Sequence, residues 1–296
     1  LPGHRVLLVL TTRPGYAAAW LAPPLAETIT IGGLGEGDVR GMVRTLLDAQ
    51  EISEQLFKIL AEKGEGNPLY VEEILRQLKE TGGIVIESGE ARLSRSDVTV
   101  PATIHDIIAA RIDRIADGLK QTLQGAAVVG RRFGISLLSR ILELAPDQVA
   151  GHLQELHGLD FIFPSAQDPE PMYSFKHALT QDVVYGGVLE RKRRTHHVAA
   201  GAGLEDLYAG RIQEVVELIA YHFGRGQVWD KAVTYLRRAA VKSQAMSAHR
   251  EALGSLEEAL AALSHLPETR ETQEQEIDLH LALRGSLYPL GEFPEM

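Results

Sequence analysis

Cysteine is absent from all 296 residues, which excludes disulfides, thiolate catalysis and thiolate metal sites. Glycine is nowhere followed by lysine. A phosphate-binding loop needs that pair, because backbone N–H groups and the lysine together cradle the phosphates. No apolar strand ends in the acidic residues that would hold Mg²⁺, since the run Val6 to Leu10 leads into Thr11 and Thr12. No apolar run approaches the roughly 18 residues of a membrane span, and the opening residues show neither the charged stretch nor the cleavage site of a secretory signal. A cytoplasmic chain is the expectation. There is no His-Glu-x-x-His, and the adjacent His196 and His197 point to different sides of a helix, so no metal site is assigned. The net charge of −10 argues against non-specific nucleic-acid binding by the chain as a whole.

What is present suits two or three ordinary domains, with 45% hydrophobic and 24% charged residues. Arg5 to Leu10 is a continuous apolar run bounded by Thr11, Thr12, Arg13 and Pro14, the pattern of a buried parallel strand. Only Glu27 to Ile31 follows nearby as a second strand. The expectation is a fragment that starts inside a domain.

The most informative stretch is Gly64-Glu65-Gly66-Asn67-Pro68, followed by Leu69 to Leu78. Asn67 is a good N-cap, Pro68 suits the first helical position, and the glycines allow a tight turn. Val71, Ile74, Leu75 and Leu78 fall at i, i+3, i+4 and i+7, so one face is buried. Before it, Asp38 is expected to cap a helix through Leu47, and a second helix runs from about Ser53 to Lys63. After it, Ile84 to Ile86 and Ala91 to Leu93 flank Ser88-Gly89 as a β-hairpin.

Helical patterns then cover about Thr103 to Ala116, Leu119 to Val129, Ser136 to Leu144 and Asp147 to Leu156. Two short strands follow, Phe161 to Phe163 and Tyr173 to Phe175. From Gln213 onward the chain reads as paired helices, with small residues beside large apolar ones. Its last apolar stripe is Ile277, Leu279, Leu281 and Leu283. The basic run Arg191 to Arg194 reads as a solvated helix face, with an anionic partner surface as the alternative.

Gly66-Asn67-Pro68 with the helix after it resembles the Gly-x-Pro motif of STAND-class, AAA-like signal-transduction ATPases. The resemblance implies that Pro68, with Gly66, packs against the adenine of a bound nucleotide. Thr11 to Pro14 is similar to that family's Thr-x-Arg, which makes Thr12 and Arg13 candidate sensors of the terminal phosphate. Read from the residues alone, Arg13 is equally an arginine closing a strand and exposed to water. Phe175-Lys176-His177-Ala178-Leu179 resembles the family's Phe-x-His-Ala-Leu, so His177 is a candidate diphosphate contact. As a residue it could equally cap the next helix or pack half-buried.

The resemblance implies a mainly α fold with a small α/β remnant. Residues 1–34 would be the end of an AAA-like core, 35–99 a helical lid and 100–190 a winged-helix domain. Residues 191–212 would connect to a tetratricopeptide-like array, cut short, over 213–296. It implies ATP or ADP with Mg²⁺ in the full-length parent, none held tightly by this fragment, and no catalytic residue here. The repeats would receive a protein partner or effector, and the upstream core would act in cis. The parent would be a bacterial regulator carrying an adenylate or guanylate cyclase or a helix-turn-helix. A non-catalytic scaffold with a degenerate ATPase core is the alternative. DNA reading is not expected, because the helix before the wing, Asp147 to His157, has no Lys or Arg.

Overall fold

The computed structural model describes residues 7–12, 27–95, 100–165 and 171–291, in two units, Leu1–Val98 and Thr99–Met296. The fold is mainly helical with two small sheets.

In the first unit local capping chemistry sets the helix starts. Helix α1 (Glu36–Leu47) begins at Gly35 and not at Asp38. Asp38 instead sits one turn in, and its carboxylate accepts the Gly35 N–H at 3.3 Å, favourable at the positive end of the helix dipole. Ser53 caps α2 (Glu54–Gly64) by accepting the Leu56 N–H. Asn67 caps α3 (Pro68–Glu80) through the Leu69 and Tyr70 N–H groups at 3.0 and 3.4 Å, with proline at the first turn. All four residues of the expected α3 stripe are buried, Val71, Ile74, Leu75 and Leu78. Glu73 and Gln77 are buried beside them.

The hairpin forms as β2 (Ile84–Glu87) and β3 (Glu90–Leu93). Ser88 and Gly89 both have positive φ, 52° and 83°, as a two-residue primed turn requires. A two-residue strand not evident in the sequence, β1 (Glu51–Ile52), runs parallel to β3, giving the order β1-β3-β2.

Residues 7–12 and 27–31 carry no strand, and Leu7, Leu8, Val9, Leu10, Ile29 and Ile31 are exposed. Neither expected strand forms among the described residues; residues 5 and 6 of the first lie outside them. An apolar run becomes a strand only when a neighbour takes its ladder hydrogen bonds, and no described segment pairs with either run.

The second unit opens with α4 (Ile104–Ile112), α5 (Asp117–Val129), α6 (Ile135–Leu142) and α7 (Pro146–Gly158). Strands β5 (Ile162–Ser165) and β6 (Met172–Phe175) pair antiparallel, and β4 (Arg132–Gly134) adds to the far side of β6 in the order β4-β6-β5. Phe133 and Phe175 meet edge-to-face across that sheet with centroids 5.4 Å apart. Arg111, buried on α4, lies over the Phe161 ring at 4.0 Å and donates to the Leu159 carbonyl, which fixes α4 to the turn after α7.

Helices α8 (Ala178–Gly186) and α9 (Glu190–Leu207) lead to α10 (Val216–Gly226), α11 (Trp229–Ala245), α12 (His249–Leu263) and α13 (Arg270–Leu287). One hydrophobic core runs without a break from Ile108 to Leu279. The last stripe is corrected: Leu279 is buried and Leu283 packs on the core, whereas Ile277 and Leu281 are exposed. Residues two apart lie on opposed faces of a helix, so a stripe of alternate residues splits.

Close helix approach depends on glycine where a side chain would collide. A Cβ on Gly201 of α9 would lie 2.9 Å from the buried Phe223 ring of α10. Gly201→Ala is therefore expected to destabilise the protein by about 1–3 kcal/mol. Gly224 on α10 has nothing within 4 Å of its would-be Cβ, so Gly224→Ala is expected to be neutral or to stabilise by up to about 1 kcal/mol. Denaturant melts of the two variants, opposite in sign, check the pair; a neutral Gly201→Ala would show that α9 and α10 are not held at this distance.

Candidate functional site

The Gly-Asn-Pro turn is built by backbone touching backbone. Helix α2 ends with Glu65 in the left-handed region at φ 48°, and Gly66 follows at φ 71°. The Leu34 N–H donates to the Gly66 carbonyl at 2.7 Å, and the Asn67 N–H to the Gly64 carbonyl at 2.7 Å. A Cβ on Gly66 would sit 2.9 Å from the Leu34 oxygen and 3.0 Å from its nitrogen. Only glycine suits both that φ and that approach. Asn67 spends its side chain on the cap, and the Pro68 ring is left exposed at the start of α3.

Gly66 and Pro68 are thus brought together on one rigid turn. Thr12 is exposed and without secondary structure; Arg13 lies outside the described residues. His177, in the second unit, is half-buried at the position before α8 and makes no side-chain cap. Its carbonyl accepts the Thr180 and Gln181 N–H groups. The backbone of His177 therefore starts the helix, and the imidazole does not.

On α7, the two histidines that could have offered polar contacts outward are tied inward. His152 Nδ1 is 2.8 Å from the Thr122 hydroxyl of α5, and His157 Nδ1 is 3.0 Å from the Ile162 carbonyl. The basic run divides as well. Arg191 and Arg194 are exposed, but Lys192 donates to Gln124 of α5 at 3.0 Å, and Arg193 lies over the Tyr185 ring at 4.9 Å.

Sequence reasoning missed a polar cluster where α8, α9 and α10 meet. His197 Nδ1 faces His222 Nδ1 at 2.9 Å, and the Tyr185 hydroxyl is 3.0 Å from His197 Nε2. Both imidazoles are buried, and His222 Nε2 has no hydrogen-bond partner among the described groups. A contact between two Nδ1 atoms requires one to carry a proton and the other to be bare. Burial holds His222 down at about 3, helped by His197. Burial also lowers His197 to about 4, with Arg225, Arg193 and His196 adding to the effect. Helical period alone gives no sign of a polar pair between helices.

Three comparisons place the chain among known proteins. A family model described as "Domain of unknown function (DUF8739)" matches residues 36–92, the stretch from α1 through β3. "Uncharacterized protein R02095" of Rhizobium meliloti (strain 1021) is 24% identical over 268 residues, covering 89% of this chain and 26% of its own length. The chain thus spans about a quarter of that curated relative. Among solved structures it is similar to the Signal Transduction ATPase with Numerous Domains (STAND) protein with a tetratricopeptide repeat sensor, PH0952, from Pyrococcus horikoshii. That likeness has a TM-score of 0.39 at 12% identity, over 88% of this chain and 42% of the other.

Acid should unlock the histidine pair. Each imidazole titrates at 6.5 when unfolded and near 3 or 4 when folded, so between those values the unfolded chain binds more protons and stability rises with pH. The contribution is complete above pH 6.5 and is lost as pH falls toward 4 and then 3. Melting temperature followed from pH 7 down to about 5, above the usual carboxylate range, should fall in the wild type. It should fall less in His197→Phe/His222→Phe; equal slopes would place the pH dependence elsewhere. Separately, Gly66→Ala is expected to cost about 1–3 kcal/mol from its left-handed φ and the Leu34 contact, seen as faster hydrogen exchange confined to α2 and α3.

Proposed function

We propose that the chain is the lid and sensor segment of a longer nucleotide-gated regulator of the STAND class. In this reading α1 to β3 form the lid, and residues 100–190 form a winged helix. The helices from α10 onward form a tetratricopeptide-like array that receives a protein partner. Nucleotide exchange biases the lid and winged helix between two packings, and an output domain elsewhere in the whole protein, a nucleotide cyclase or a helix-turn-helix, reads the change.

The observation that carries this reading is the clamped turn at Gly66, which holds the Pro68 ring exposed on a rigid helix start. An exposed proline beside a close-packed backbone offers a flat apolar seat, and a nucleobase fits that description. Thr12 and Arg13 would meet the terminal phosphate and His177 the diphosphate. Among the described residues no group of three or more His, Asp or Glu is placed to hold a metal, so Mg²⁺ would be held by other parts of the whole protein. The inward use of His152 and His157 supports a winged helix that docks on protein and does not read DNA. The rival reading is a scaffold whose nucleotide core has degenerated.

Equilibrium binding of fluorescent ADP and ATP to the whole protein separates the two. Pro68→Ala should weaken both nucleotides several-fold. Arg13→Ala should weaken ATP by about 1.5–3 kcal/mol, the range for a charge-assisted hydrogen bond, while sparing ADP. If the whole protein binds neither nucleotide, the scaffold reading holds; equal loss of ATP and ADP would make Arg13 structural.

A further inference from the structure

Two arginines stand over the histidine cluster with no acidic partner among the described residues. Arg193 of α9 lies 4.9 Å from the Tyr185 ring centre, and Arg225 of α10 lies 5.6 Å from that of Tyr221. His197 sits between the two tyrosines, its ring 5.9 Å from Tyr185 and 5.7 Å from Tyr221. Neither guanidinium has an ion pair or hydrogen bond among the described residues. Their neighbours do: Arg194 pairs with Glu190, and Lys242 with Glu217.

Both positive charges are felt at the same atoms, since Arg193 and Arg225 each lower His197 and each oppose the rise of Tyr185. No carboxylate acts on either group. The chain carries 40 acidic residues against 30 basic, so an acid-free pair of cations is contrary to its overall charge. Arg193 is half-buried and Arg225 exposed, and two arginines without carboxylates present ten N–H donors in planar forks suited to an oxyanion.

We propose that Arg193 and Arg225, set against Tyr185, Tyr221 and His197, form a binding site for a phosphate dianion. A single carboxylate carries half the charge needed to balance two guanidiniums; a phosphate balances both and offers an oxygen edge to each fork. The ligand is inorganic phosphate or a phosphomonoester, and the partly exposed Tyr221 ring gives an organic ester an apolar surface to rest on. By lying across α9 and α10 the anion would tie together the two helices that the histidine pair joins. The proposal is independent of the nucleotide reading, because it uses none of the same residues.

Isothermal titration of the chain at pH 7.5 and constant ionic strength tests it, with inorganic phosphate in one arm and phenyl phosphate in the other. Saturable one-to-one binding is expected, tenfold or more weaker in both Arg193→Gln and Arg225→Gln. Arg191→Gln, an exposed cation on the same helix, should change affinity less than twofold. Tighter phenyl phosphate identifies the ester as the preferred source; equal affinities identify the inorganic ion. The His197 carbon-bound ring proton, assigned with His197→Gln, should shift on titration in the wild type and not in either arginine variant. Absence of saturation at millimolar phosphate overturns the site, and so does an Arg191→Gln loss equal to that of Arg193→Gln, which would mark diffuse attraction.

Discussion

The second unit depends on α9 being narrow enough to be packed from several sides at once. Its C-terminal half is mostly alanine and glycine, and two close approaches use this. Gly201 meets Phe223 and Gly203 meets Leu137 of α6 with a would-be Cβ at 2.8 Å, and at a third point the narrow residue is Gly226 of α10, against Val198. Interior packing at that density leaves no room for an added methyl group. Polar ties finish the edges: Glu205 accepts from both Lys231 and Tyr235 of α11 at 2.6 and 2.7 Å, and Arg140 of α6 reaches Asp206 at 3.1 Å. The exposed members of this set contribute little individually. Glu205, only one-fifth exposed, is better placed, and it helps burial push the Tyr235 hydroxyl up to about 12.

The first unit has its own controlling contact on a smaller scale. Leu34 can donate to Gly66 because Gly66 carries no side chain, its Cβ falling 2.9 Å from the Leu34 oxygen, while a Gly33 Cβ would meet the Gly66 oxygen at an ordinary 3.4 Å. That contact fixes where the chain before α1 meets the start of α3. Asn67 and Pro68 then act locally, one supplying an acceptor to orphan N–H groups and the other a preset φ. The same five residues therefore give a helix start, a chain crossing and an exposed ring.

How much was legible follows from range. Val71, Ile74, Leu75 and Leu78 were readable because burial on one helix repeats every three to four residues. Asn67 was readable because a cap bonds within three residues of itself, whereas Ser53 was read only as the approximate start of its helix. The hairpin was readable from Ser88-Gly89, where the turn type constrains φ. Strand β1 was not, since two residues carry no period, and neither was β4, whose Arg132-Phe133-Gly134 becomes a strand only by pairing with β6. The apolar runs at residues 7–10 and 29–31 erred the other way: composition favours a strand, but pairing decides. In the candidate site, Gly66 and Pro68 were legible as a turn, whereas the contact of Gly66 with Leu34 spans more than thirty residues. The His197–His222 contact was invisible for the same reason, and the argument that His196 and His197 diverge around a helix was silent about a partner on α10.

That polar pair changes what motion the second unit can support. A greasy helix interface can slide by small steps at low cost, but two Nδ1 atoms 2.9 Å apart have one good arrangement, and sliding leaves a buried imidazole unsatisfied. Just after His197, Val198 and Gly201 pack closely on α10, so sliding of α10 along α9 would also disturb these contacts. Because α9 also packs on α5 and α6, any shift of α9 against α10 would be felt on that side as well. Charging His197 or His222 would therefore act directly on how firmly α9 and α10 stay packed.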